Sequence, residues 1–254
     1  MTKVKTEKQK KGKAVNVLNV AYVLDMSGSM GAVLDATREG TNGYLRDLLT
    51  EEEKLIAKHK GGVFTRLSLT CFDTRVERWT VDQPISEVNI TDLVNRYQPR
   101  GYTALYDAIA QTIVDMDGRM KDEEREHEKV LVVVMTDGME NASREYARQH
   151  GGRERILALI KSYEAKGNWT FVFLGTEDAL AEAEAMGIAP GNTASYAATA
   201  DSVVAVAASL SGVTQTRRGS MRGQTVTAFA DAGEAQDYIT DKPRAVKVDK
   251  DSTS

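Results

Sequence analysis

Apolar residues fall along this chain in two alternating rhythms. "VLNVAYVL" (17–24), "VLVVVM" (130–135) and "WTFVFLG" (169–175) are continuous apolar runs of strand length, the pattern of strands covered on both faces. "RLSLTCF" (66–72) instead alternates Leu67, Leu69 and Cys71 with Ser68 and Thr70. "VERWTV" (76–81) follows after only "DTR", which predicts a hairpin. Between these runs the spacing turns helical. Leu105, Ile109, Ile113, Met116 and Met120 recur every three or four residues, as do Ile156, Ile160 and Tyr163. Weaker helical patterns cover Val33 to Leu49, Ala179 to Met186 and Ser202 to Leu210.

Strands alternating with helices predict βαβ units with right-handed crossovers. The expected fold is α/β: a Rossmann-like, doubly wound, mostly parallel central sheet with helices on both faces. One short antiparallel strand, 76–81, belongs on its edge. Residues 14–216 read as one domain without internal repeats. Residues 1–13 carry six lysines against one glutamate and are expected to be a basic, flexible, solvated tail. Contact of that tail with nucleic acid or an acidic partner is the secondary expectation. Residues 217–254 show no sustained period and are expected to be a loosely ordered extension, with one short helix near Ala228 to Tyr238.

Composition narrows the function classes. With 254 residues, 41% apolar and 28% charged, the chain can bury one substantial core. A net charge of −4 exerts no global pull on nucleic acid, so no specific nucleic-acid partner is expected. The single cysteine, Cys71, excludes an internal disulfide and fits a reducing compartment. The basic N-terminus leads into no signal-type stretch, and no run approaches the ~20 apolar residues that cross a bilayer. A cytoplasmic protein with no membrane partner is expected.

The candidate chemistry lies at the strand ends, where open α/β sheets bind ligands. "DMSGSM" (25–30) follows the first strand, "TDGMEN" (136–141) follows "VLVVVM", and "GYTALYDAI" (101–109) opens a helix. A buried strand has no use for the groups of the first stretch; a hard cation has. Asp25 and Asp137 end two strands that such a sheet can place side by side, and Thr103 can converge on them. With Ser27 and Ser29 they make an all-oxygen set, suited to Mg²⁺ or Mn²⁺ and poorly suited to zinc. Gly28 is expected to let the D-x-S-x-S loop curl without strain.

These three motifs, in this order, resemble the von Willebrand factor A domain, also found as the integrin I domain. Its metal-ion-dependent adhesion site (MIDAS) has the form D-x-S-x-S, then a threonine, then a T-D-G-type aspartate. Asp25, Ser27, Ser29, Thr103 and Asp137 match it, over roughly residues 14 to 215. The resemblance implies that Ser27, Ser29 and Thr103 bind the metal through hydroxyls, with Asp25 and Asp137 acting largely through bound waters. It implies an electrophilic ion that takes an aspartate or glutamate from a partner protein. Relatives often have two glycines before the threonine, where this chain has Gly101 and Tyr102, a departure that bears on partner specificity. The style resembles stand-alone intracellular members from bacteria and their phages, which serve as assembly or adaptor modules.

Several residues carry plainer readings beside the functional ones. Glu140 and Asn141 read as solvated loop groups. Asp73 reads as a turn former, and Asp107 as a helix-surface or loop-bracing residue with second-layer contact to the site as the alternative. Met26 and Met30 are either an apolar rim for a partner or loop packing. Three function classes follow. The leading one is a non-enzymatic, Mg²⁺-dependent protein-interaction module. A structural or self-assembling component using the same metal site is the alternative, its carboxylate supplied by a neighbouring copy, for example from 121–128. A haloacid-dehalogenase-like hydrolase with Asp25 as nucleophile is least favoured, because residue 27 is serine where that chemistry wants a second aspartate. No glycine-rich phosphate loop opens any helix, which argues against a dinucleotide enzyme.

Overall fold

Among the described residues, six strands lie in one sheet: β1 (Asn16–Asp25), β2 (Val63–Phe72), β3 (Val76–Pro84), β4 (Glu128–Thr136), β5 (Trp169–Gly175) and β6 (Thr193–Ser195). Their order is β3-β2-β1-β4-β5-β6, and only the β2–β3 pair is antiparallel. The computed structural model describes residues 16–58, 63–120 and 127–220. Residues 1–13, residues 221–254 with the expected helix at 228–238, and most of the acidic segment 121–128 therefore lie outside the described residues, whereas 217–220, expected to open the loose extension, are the last turn of a helix.

The helices are α1 (Leu34–Lys58), α2 (Ile90–Asn95), α3 (Leu105–Asp117), α4 (Gly152–Glu164), α5 (Glu177–Ala185) and α6 (Ala200–Ser220). Alternation along the central strands divides the core in two. Leu18, Val20, Tyr22 and Leu24 of β1, with Leu131, Val133 and Met135 of β4, pack against α1, α2 and α6. Ala21 and Val23, with Val130, Val132 and Val134, pack against α3, α4 and α5. Both faces of β1, β4 and β5 are thus covered, which is why these strands read as unbroken apolar runs. Each fully buried Leu, Val or Phe contributes about 1.5–3 kcal/mol. Cys71 packs in the same core.

The sheet agrees with the doubly wound expectation, including the antiparallel edge strand. The differences are at element ends. Helix α1 continues to Lys58, well past Leu49, and α6 runs from Ala200 to Ser220 rather than 202–210. In both, the added residues are largely polar, which hides the helical period, yet Val213 reaches the core and Glu52, Thr214 and Arg218 are buried. Helix α2 lies between β3 and Gly101, where the sequence pattern predicts no element, and is started by Asn89, whose side chain accepts from the Asp92 amide at 3.3 Å. Strand β4 begins at Glu128, two residues before the apolar run that starts at Val130.

Candidate metal centre

Parallel pairing of β1 with β4, in the register Leu24 to Met135, brings Asp25 and Thr136 level at the carboxyl end of the sheet. Asp25 is fully buried. Its Oδ1 accepts from the Ser27 amide at 2.7 Å, and its Oδ2 accepts from the Thr136 hydroxyl. The Tyr97 hydroxyl donates to the Asp25 carbonyl at 2.6 Å. The aspartate is therefore held from both sides before any ligand arrives.

The next residues form a short 3₁₀ turn, Gly28–Val33, that carries the two serines. Ser27 and Ser29 hydroxyls lie 3.1 Å apart, and Ser29 Oγ donates to Asp137 Oδ1 at 2.6 Å. Ser27 is buried while Ser29 is exposed, so the cluster opens to solvent on the Ser29 side. Thr103 joins from the loop before α3. A methyl group placed on Gly138 would stand 3.4 Å from Thr103 Oγ1 and 3.9 Å from Ser29 Oγ. All five residues named from the sequence thus come to one crevice.

The residue that relieves strain in these loops is Gly101, not Gly28 as expected. Gly28 is not in the left-handed region; Gly101 is, at φ +68°. The Gly28 amide donates to the Gly101 carbonyl at 3.2 Å, which ties the first loop to the second. A side chain at Gly101 would be strained, and its Cβ would meet Thr74 Oγ1 at 2.6 Å. The glycine next to Tyr102 is the one the turn requires.

The third loop is braced by groups that sequence reasoning set aside. Glu140 is buried, not solvated: Oε1 accepts from the Ala142 and Ser143 amides at 2.9 and 2.7 Å. Its Oε2 accepts from the Tyr106 amide at 2.9 Å and the Ser143 hydroxyl at 2.7 Å. Asn141 Oδ1 accepts from the Thr103 amide at 2.8 Å, and the Asn141 and Ala142 amides donate to the Thr103 carbonyl. Asp107 takes the loop-bracing reading, accepting from the amides of Arg144, Glu145 and Tyr146. Asp73 forms its turn and also accepts from Arg100 Nε at 2.6 Å. Met26 and Met30 are core residues, which leaves the loop-packing reading, while Tyr102 and Met139 are exposed, at 68% and 51%. Thr136 was missed; a hydroxyl as the last strand residue before Asp137 is the signal that marks it.

Electrostatics set this cluster apart from a polar loop. Burial pushes the Asp25 carboxyl up to about 6, against the hydrogen bonds from Thr136 and Ser27, and the Asp137 charge adds to the rise. Burial also raises Asp137, opposed by the Ser29 bond. Among the described residues no lysine or arginine pairs with either carboxylate. A buried and a half-buried like charge without a counter-charge are costly, and a cation relieves that cost. Among the described residues no three His, Cys, Asp or Glu side chains come together, and at this crevice hydroxyls outnumber carboxylates.

No family model and no curated protein matches the sequence. Solved structures do match. The von Willebrand factor domain of the pilus tip protein Mfa5 from Porphyromonas gingivalis superimposes with a TM-score of 0.55 at 11% identity, covering 86% of this chain and 100% of that one. Proximal thread matrix protein 1 from the mussel byssus gives 0.53 at 14% identity, over 82% of this chain and 46% of that one. A von Willebrand factor type A protein from Catenulispora acidiphila gives 0.51 at 15% identity, over 84% and 44%. This chain spans under half the length of the last two. The mussel protein has also been solved with zinc occupying its MIDAS motif. The chain has the von Willebrand factor A fold.

Proposed function

We propose that this chain is a protein-recognition module working through a divalent cation, Mg²⁺ or Mn²⁺, at the crevice beyond β1 and β4. The hydroxyls of Ser27, Ser29 and Thr103 would hold the ion directly, with Asp25 and Asp137 acting largely through water. One observation carries the reading. Three hydroxyls and two uncompensated carboxylates, drawn from three separate loops, face a single crevice. The donor set is all oxygen, which fits a hard cation, and the zinc-occupied motif of the mussel protein supports a divalent metal on this fold.

The ion, when bound, supplies an open coordination position to an aspartate or glutamate of a partner protein. The chain's own residues do the rest. Thr136 and the Ser27 amide orient Asp25, the Asn141 and Gly101 contacts place Thr103 and Ser29, and Tyr102 and Met139 present an apolar rim to the partner. We read the module as non-enzymatic, since Ser27 stands where a phosphoryl-transferring aspartate pair would need its acid. We read it as cytoplasmic, of the bacterial or phage adaptor type. Among the described residues no helix is long and apolar enough to cross a membrane.

The test is a pull-down from native lysate in Mg²⁺, in EDTA, and with Thr103→Ala. A protein retained only by the wild type in Mg²⁺ supports the module. A partner held equally under all three conditions places recognition elsewhere.

A further inference from the structure

Beside the metal crevice lies a second concavity of about 520 Å³, lined by Asp73, Thr74, Arg75, Arg100, Gly101 and Arg144. Its walls come from the β2–β3 turn, the loop before α3 and the loop after β4, the last two also carrying Thr103 and Asp137. Arg100 is already neutralised: Nε bonds Asp73 at 2.6 Å and Nη2 bonds Glu77. Arg75 and Arg144 are different. Both are exposed, and among the described residues neither has an acidic partner. Their backbones are pinned, the Arg75 amide on Asp73 Oδ1 and the Arg144 amide on Asp107 Oδ2, each at 2.7 Å. The side chains are thus carried on fixed turns with their charge unspent.

We propose that this arginine crevice is a second acid-binding subsite, so that the module takes a peptide segment bearing two acidic side chains, one for the metal and one for Arg75 and Arg144. The inference rests on the metal-dependent reading above and names the partner's chemistry. Gly101, on the crevice wall, is two residues from Thr103, so their Cα atoms lie within roughly 7 Å. An extended peptide advances roughly 3.3 Å per residue, which sets the two acids about two to four residues apart. Tyr102 stands between the two subsites, 68% exposed, where its ring can cover the intervening residues. Arginine suits this role because its planar fork meets a carboxylate with two parallel hydrogen bonds.

The probes are labelled glycine–serine peptides of about eight residues, one with a single glutamate and one with two glutamates roughly three residues apart. Anisotropy is read in Mg²⁺ and in EDTA, on the full chain and on the Arg75→Gln/Arg144→Gln double variant. Both substitutions are at exposed side chains outside the metal set, so the Mg²⁺-induced rise in melting temperature should be unchanged. In Mg²⁺ the two-acid peptide should bind wild type about fivefold tighter than the single-acid peptide, an advantage that shrinks with salt and vanishes in the double variant. Equal binding of the two peptides to wild type, or an advantage that survives the double substitution, overturns the inference while leaving the metal reading intact. Binding of neither peptide also overturns it, and if Mg²⁺ then fails to raise the melting temperature the metal reading falls with it.

Discussion

The Ser29 hydroxyl donates to Asp137 Oδ1 at 2.6 Å, joining the loop after β1 to the end of β4 across 108 positions of sequence. Neither residue is part of the core, and the bond stabilises the fold little. Its consequence is positional. It fixes the solvent-open side of a crevice whose buried side is Asp25, and so holds an oxygen set ready for a cation.

Thr136→Val should test the buried side. The substitution keeps shape but removes the hydroxyl that donates to Asp25 Oδ2, leaving the carboxylate with Ser27 as its hydrogen-bond partner. Outer partners of ligating groups are typically worth about 10–100-fold in metal affinity. The Mg²⁺ titration midpoint, read by calorimetry, should move up by about tenfold while the apo melting temperature changes little.

Glu140→Ala should damage the third loop, which this buried carboxylate braces. The carboxylate accepts from three amides and one hydroxyl; the Ala142 amide keeps the Thr103 carbonyl, while the Tyr106 and Ser143 amides and the Ser143 hydroxyl would lose the bond to Glu140. Orphaned buried donors and a lost charge-assisted bond together cost about 3 kcal/mol. Denaturant melts should show that loss, and hydrogen exchange should rise at Ala142 and Ser143. A loss under about 0.5 kcal/mol would mean that the loop is held by Asp107 alone.

Gly101→Ala should strain the second loop. The residue sits at φ +68°, and the added methyl group would meet Thr74 Oγ1 at 2.6 Å. A cost of about 1–3 kcal/mol is expected, together with weaker Mg²⁺ binding through displacement of Thr103. Gly28→Ala, whose Cβ would sit at 3.4 Å from the Gly101 carbonyl, should cost less.

The pH dependence follows from Asp25, whose carboxyl is pushed from 3.8 up to about 6. Between those values the folded protein binds more protons than the unfolded chain, so this group makes metal-free stability fall as pH rises through that window. The metal takes the deprotonated site and competes with the proton. The gap between melts in Mg²⁺ and in EDTA should therefore be full near about pH 7 and close as pH falls below about 6. Groups remote from the metal cancel in the difference, which leaves Asp25 and Asp137, so a gap that persists unchanged at pH 5 would exclude Asp25 from the metal's surroundings.

Much of this was legible in the sequence, for physical reasons that can be named. Strands β1, β4 and β5 are covered on both faces, so their apolar runs identified them, and the strand ends then pointed to Asp25 and Asp137. Thr103 was a weaker signal, a hydroxyl at a helix start that could converge on the two aspartates, and the family pattern strengthened it. Strand β6 was not legible because three residues carry no period, and its hydrogen bonds with β5 decide it. Helix α2 was missed for want of length, although Asn89 with Asp92 was a readable cap. Glu140 and Asn141 look like ordinary loop residues because their role is to accept backbone amides, which leaves no mark on side-chain pattern.

The most direct test of the account is a thermal melt with and without Mg²⁺ on wild type, Asp25→Ala and Thr103→Ala. At about a hundredfold excess over Kd, binding to the folded state adds about 2.7 kcal/mol, so wild type should melt higher in Mg²⁺. Both variants should fold and show no Mg²⁺ effect. Equal shifts in all three proteins would contradict the site, and with it the metal-dependent recognition built on these five residues.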